Sequence, residues 1–80
     1  MQIANDTEDD VLYTVDDPGD SKELQANSFL LEPSLTTGCT VSFFIGLEQV
    51  ATSPPVPAGE AFVILRKKLL DYEVRILTST

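Results

Sequence analysis

Ala61-Phe62-Val63-Ile64-Leu65-Arg66-Lys67-Lys68-Leu69-Leu70-Asp71-Tyr72-Glu73-Val74-Arg75-Ile76-Leu77 is the stretch on which the fold of this chain turns. Wound as a helix, it places Phe62, Leu65, Leu69, Tyr72 and Ile76 on one face, at spacings of three and four. Laid out as strands, residues 61–65 and 72–77 alternate about a turn near Lys67-Lys68. Val63, Ile64, Val74 and Ile76 are β-branched, and Phe62 and Tyr72 are aromatic. Such side chains lose rotamer freedom in a helix and pack well on a pleated surface. No Ser or Thr caps a helix start here. Composition therefore favours a β-hairpin over residues 60–77, with a helix as the alternative.

Working outward, the rest of the chain has the same texture of short apolar stretches between turn formers. Residues 39–45 alternate most clearly, with Cys39, Val41, Phe43 and Ile45 on one side and Thr40 and Ser42 on the other. Residues 28–32 form a strand candidate that stops at Pro33, and 47–51 a shorter one. Val11, Tyr13 and Val15 share one face of 11–15, and Ile3 opens a possible strand at the start. Asp16-Asp17-Pro18-Gly19-Asp20-Ser21 is a turn by composition: Pro presets φ, Gly accepts positive φ, and Asp bonds nearby amides. Asn27 suits a left-handed position, and 53–59, with three prolines, reads as a surface connection. The fold expected is all-β, a small antiparallel β-sandwich or barrel, immunoglobulin-like or similar, of about six or seven short strands in one domain spanning 1–80. Its expected core is Val11, Tyr13, Val15, Phe29, Leu31, Val41, Phe43, Ile64, Val74 and Ile76.

Eighty residues bury only about 60% of the surface an unfolded chain exposes, so the margin of stability is thin. A single cysteine, Cys39, rules out an internal disulfide. Stability must come from packing, a bound ion or another chain, which makes self-association a natural expectation. The net charge of −8 is uneven: residues 1–25 hold eight acids and one base, and the remainder five acids and four bases. Such a chain repels phosphate backbones and anionic lipid, so neither nucleic acid nor a membrane is an expected partner. No apolar run approaches a membrane span, and the first residues carry no secretory leader pattern. With a lone thiol, that points to a soluble protein of the cytoplasm, or to one exported without a cleaved leader.

Histidine is absent, which removes the commonest general base and transition-metal ligand. Cys39 lies on an apolar strand face with no imidazole to activate it and reads as a buried structural thiol. Neither Asp-rich cluster follows the twelve-residue calcium-loop pattern. The expectation is thus no enzyme, no cofactor and no metal. The function expected is a non-catalytic protein-interaction or self-assembling structural module, with a small acidic inhibitor or mimic acting through loops as the alternative. The residues expected to meet a partner are Ile3, Asp9, Asp10, Asp16, Asp17, Asp20, Arg66, Lys67 and Lys68. In that picture the segment through Ile3 is a mobile strand donor, and the early acids meet the bases of a neighbouring copy head to tail. Uncharged strands at 28–31, 39–45 and 61–65 would extend a sheet wherever they lie at an edge.

Leu31-Glu32-Pro33-Ser34-Leu35-Thr36-Thr37-Gly38-Cys39 resembles the threonine-threonine-glycine loop of chagasin-type cysteine-protease inhibitors. Ala58-Gly59-Glu60-Ala61-Phe62-Val63 is similar to the glycine-led strand near their C-terminus. The resemblance implies an immunoglobulin-like sandwich. It covers about fifteen residues, and the family's loop tryptophan, second glycine-rich loop and arginine-proline-aromatic loop are all missing here, so no inhibitory residue carries over.

Overall fold

A computed structural model describes residues 2–16, 21–32, 38–57 and 60–79. These form eight strands and no helix: β1 (Gln2–Asp6), β2 (Val11–Val15), β3 (Lys22–Leu24), β4 (Ser28–Leu31), β5 (Val41–Ile45), β6 (Glu48–Thr52), β7 (Glu60–Lys68) and β8 (Asp71–Ser79). The hairpin reading of 60–77 holds, and it is longer than expected because the pairing runs from Glu60↔Ser79 to Lys68↔Asp71. Its turn is Leu69-Leu70, two residues beyond Lys67-Lys68. Eight strands replace the expected six or seven. Lys22–Leu24 is a strand as well, held against β2 through Val11↔Leu24 and Tyr13↔Lys22.

The strands divide into two four-stranded sheets, β4-β1-β7-β8 and β3-β2-β5-β6. The second sheet is antiparallel throughout. The first departs from the antiparallel expectation at its centre, where β1 runs parallel to β7 with Ile3 opposite Val63. A parallel pair requires a long crossover, and here residues 7–59 lie between the two strands. The N-terminal segment is accordingly no free arm. Ile3 is fully buried between β4 and β7, so it is unavailable as a donor to another chain.

The inward faces of both sheets share one core of Ile3, Val11, Tyr13, Leu24, Cys39, Val41, Phe43, Val56, Ala61, Val63 and Leu65, with Val15, Val74 and Ile76 packed against it. Val11, Tyr13, Val41, Phe43 and the buried Cys39 thiol stand where the alternation placed them. Three expected core residues do not. Phe29 and Leu31 are 67% and 68% exposed, because antiparallel pairing sets Leu30 opposite Ile3 and Phe29 opposite Ala4. A shift of one residue exchanges the faces of a strand, and Phe29-Leu30-Leu31 offers no alternation to fix the phase. Ile64 points outward for a similar reason, since Val63 and Leu65 take the inward positions. The proline-rich connection is more than a surface crossing. Val56 is 1% exposed, its amide donates to the Cys39 carbonyl at 2.8 Å, and its carbonyl accepts from Gly38 N at 2.8 Å.

Candidate functional site

In the first sheet, every residue between the inward positions faces out, and the register sorts these residues into rows. Leu31, Gln2, Phe62 and Leu77 make one row; Phe29, Ala4, Ile64 and Arg75 make the next. Phe29, Leu31 and Leu77 are more than half exposed, and Phe62 and Ile64 are partly so. Five large apolar side chains thus cover this outward face across three of its four strands. A third row, Asp6, Arg66 and Glu73, closes the patch with charge. The Arg66 Nε–Asp6 Oδ2 distance is 3.8 Å, with both side chains about half exposed.

Beyond that charged row lies the end of the molecule where four connections meet: residues 7–10, 25–27, 46–47 and 69–70. Asn5 organises it from a buried position. Its Nδ2 donates to the carbonyls of Asp9, Leu24 and Gln25 at 2.8, 3.1 and 3.1 Å, and its Oδ1 accepts from Thr7 Oγ1 at 2.6 Å. That arrangement fixes the loop bearing Asp9, whose Oδ2 accepts from Tyr72 Oη at 2.6 Å and lies 3.9 Å from Lys67 Nζ. The Lys67 ammonium also sits 5.5 Å from the Tyr72 ring centre. The hydrogen bond to Asp9 is the main reason the Tyr72 hydroxyl holds its proton above the ordinary value, with desolvation adding to it.

Five of the expected site residues, Asp9, Asp10, Arg66, Lys67 and Lys68, gather at this one end, where Arg66 lies near Asp6 and Lys67 near Asp9 within the chain. Asp10 Oδ1 accepts from Ala26 N at 2.8 Å and serves the β3–β4 turn. Lys68 stands opposite Asp71 in the hairpin. Asp16 lies at the other end of β2, in a left-handed conformation (φ 58°), where it exchanges hydrogen bonds with the Thr40 backbone: Thr40 N to its Oδ1 at 2.8 Å and its N to the Thr40 carbonyl at 2.7 Å. Asp17 and Asp20 lie outside the described residues, as do Thr36 and Thr37 of the inhibitor-like loop. Among the described acids of the first third, Asp6, Glu8, Asp9 and Asp10 lie at this end, Glu23 stands on β3 and Asp16 lies at the other end.

One buried charge has no signal in the sequence. Glu32 is 1% exposed; its Oε2 accepts from Tyr13 Oη at 2.7 Å and pairs with Lys22 Nζ at 3.0 Å. Burial, followed by the bond to Glu32, pushes the Tyr13 hydroxyl well above its ordinary value of 10. The group ties β2, β3 and the end of β4 together across the two sheets.

Of the three uncharged stretches, 39–45 and 61–65 fall in or beside the interior strands β5 and β7, and 28–31 is the edge strand β4. The other edge strands carry charge: Lys22 and Glu23 on β3, Glu48 on β6, and Asp71, Glu73 and Arg75 on β8. The outward apolar face does have a signal in the sequence. An unbroken apolar run at 61–65, once read as a strand, must present apolar side chains on both sides.

Comparison with protein-family models, with curated proteins and with solved structures finds no match to this chain. No helix among the described residues is long and apolar enough to cross a membrane.

Proposed function

We propose that this chain is a non-catalytic module that binds another protein chain, a copy of itself included, through the outward face of the β4-β1-β7-β8 sheet. The observation that carries the reading is the exposure of Phe29, Leu31 and Leu77 beside Phe62 and Ile64 on one continuous sheet face. A strand with one face in water ordinarily alternates apolar with polar residues, and contiguous exposed apolar patches mark interaction sites. The uncharged β4 edge borders the same patch, so a partner there can take up main-chain hydrogen bonds as well. We read the architecture as a small open sandwich serving as a scaffold for this face. The net charge of −8 argues against nucleic acid and anionic membranes as partners, and the buried Cys39 thiol suits a cytoplasmic setting.

The test compares the wild-type chain with the double variant Leu31→Glu/Leu77→Glu. Light scattering across concentration and salt detects self-association, and immobilised protein detects capture of another chain. The reading expects a gain in mass in at least one assay that the double variant loses. No gain in either, or a gain that survives both substitutions, removes it.

A second reading, a loop-presenting inhibitor or mimic, draws on the end where Leu47, Leu69 and Leu70 project at 104%, 89% and 92% exposure. Leu69 also holds φ at 58°, a left-handed conformation costing a side-chain-bearing residue about 1–2 kcal/mol, with no packing to offset it. Capture lost on Leu69→Gly/Leu70→Ser but retained in Leu31→Glu/Leu77→Glu selects this reading over the first.

A further inference from the structure

The outward face of the first sheet has a pseudo-symmetry of its own. Asp6 on β1 and Arg66 on β7 are register partners on adjacent central strands, so opposite charges flank the line between those strands. Below them along that line stand Ala4 with Ile64 and Gln2 with Phe62, with Phe29 and Leu31 of β4 on one flank and Arg75 and Leu77 of β8 on the other.

From this arrangement we infer that the occupant of the face is a second copy of the same chain, laid face to face about a two-fold axis parallel to the strands between β1 and β7. The inference rests on the proposed role of this face and names its partner. The axis exchanges β1 with β7 and β4 with β8. Asp6 of each copy then falls over Arg66 of the other, giving two reciprocal ion pairs from one acid and one base. Leu31 falls over Leu77, and Phe29 meets the Arg75 guanidinium, a pairing that aromatic faces favour. Ala4 lies over Ile64 and Gln2 over Phe62, small against large, as interdigitating faces require. Packed sheets cross at about 30°, which displaces the charged row by a few ångströms, within the reach of an arginine. A two-fold contact is closed and self-complementary, so it ends at the dimer and builds no filament. It also covers the apolar patch that a domain of this size can least leave in water.

Charge exchange between two chains tests this geometry. Asp6→Arg places two arginines over each other in a homodimer, and Arg66→Asp places two aspartates; each variant alone should self-associate about tenfold or more weakly than wild type. Mixed in equal amounts, the two chains restore both ion pairs only in the heterodimer, so the mixture should sediment as a dimer under conditions where each variant alone is a monomer. Leu31→Glu mixed with Leu77→Lys makes the same test at a second position and serves if either charge variant fails to fold by circular dichroism. A wild-type chain that stays monomeric at millimolar concentration overturns the inference, and so does a wild-type dimer for which neither mixture restores association. A monomeric wild type that captures a different protein, with capture lost in Leu31→Glu/Leu77→Glu, ends the dimer and leaves the wider reading of the face standing. No association of any kind, or association indifferent to that double substitution, ends both.

Discussion

The outward faces of the two sheets answer water differently. On the β3-β2-β5-β6 sheet, the outward rows are Glu23, Leu12, Phe44 and Gln49, then Thr14, Ser42 and Thr52. Thr14, Ser42 and Thr52 put hydroxyls on one of these rows, Thr14 itself being 4% exposed, Leu12 and Phe44 are partly buried on the other, and Ser42 Oγ lies 3.2 Å from Thr52 Oγ1 in a hydrogen bond on the surface. The β4-β1-β7-β8 sheet instead turns Phe29, Leu31, Phe62, Ile64 and Leu77 outward. Both sheets contribute to the same core, so folding of the single chain does not account for the contrast. On the proposed reading, a sheet apolar on both sides is covered twice, once by its own chain and once by a partner chain.

The largest effect expected separates inside from outside on a single strand. Phe43 is fully buried, whereas its neighbour Phe44 faces out and is only partly covered. Phe43→Ala should cost about 3–5 kcal/mol, most of what a domain this small has. Phe44→Ala should cost about 1 kcal/mol, in proportion to its smaller burial. Equal losses in denaturant unfolding would mean that the strand has been assigned the wrong phase.

The next effect joins the two sheets. Tyr13→Phe removes one partner from the buried Glu32 carboxylate and should cost about 1.5–3 kcal/mol, the range for hydrogen bonds to charged groups. It also carries a pH signature. The folded-state value of Tyr13 is raised, so above pH 10 the unfolded chain gives up this proton while the folded chain keeps it. The contribution is complete below pH 10 and is lost as pH rises toward the folded-state value. Urea midpoints measured from pH 8 to 11 should fall more steeply for wild type than for Tyr13→Phe. Parallel pH profiles would show that Tyr13 titrates no differently in the two states.

The smallest effect on stability is expected on the outward face of the first sheet. Phe29→Ser and Leu77→Thr should each leave the unfolding free energy of the dilute monomer within about 0.5 kcal/mol of the parent. Both should still weaken self-association. A loss of several kcal/mol in dilute solution would show Phe29 to be a core residue, as its place in an apolar strand suggests.

How legible each feature is in the sequence follows from how it is encoded. Val41, Phe43 and Cys39 alternate with Thr40 and Ser42, so the amino-acid pattern alone marks β5 and its buried side. Asn27 is legible as a left-handed residue and holds φ at 55°. Phe29-Leu30-Leu31 is apolar at every position, so only its pairing with β1 decides which side chain goes in. The burial of Ile3 depends on a parallel partner about sixty residues away, and no local pattern announces such a pairing. Glu32 is hidden for another reason: a carboxylate becomes buried only when partners such as Tyr13 and Lys22 converge on it, and that convergence is tertiary. Five of the site residues chosen by charge share one end and Asp16 lies at the other, because charge marks the surface without saying which strand end it occupies. The apolar face is encoded in residues 61–65, a run that reads as core on both sides although only one side has a core to meet.

Solvent paramagnetic relaxation of side-chain methyl groups, followed from micromolar to millimolar concentration, tests the proposed docking face most directly. Leu31, Ile64 and Leu77 report on the first sheet and Leu12 on the second, all in one sample. The expected result is that Leu31, Ile64 and Leu77 lose access to the paramagnetic agent together as concentration rises, while Leu12 keeps its access unchanged. Full access at Leu31, Ile64 and Leu77 at millimolar concentration, or loss at Leu12 in step with them, would contradict the assignment of this face as the one that a second chain covers.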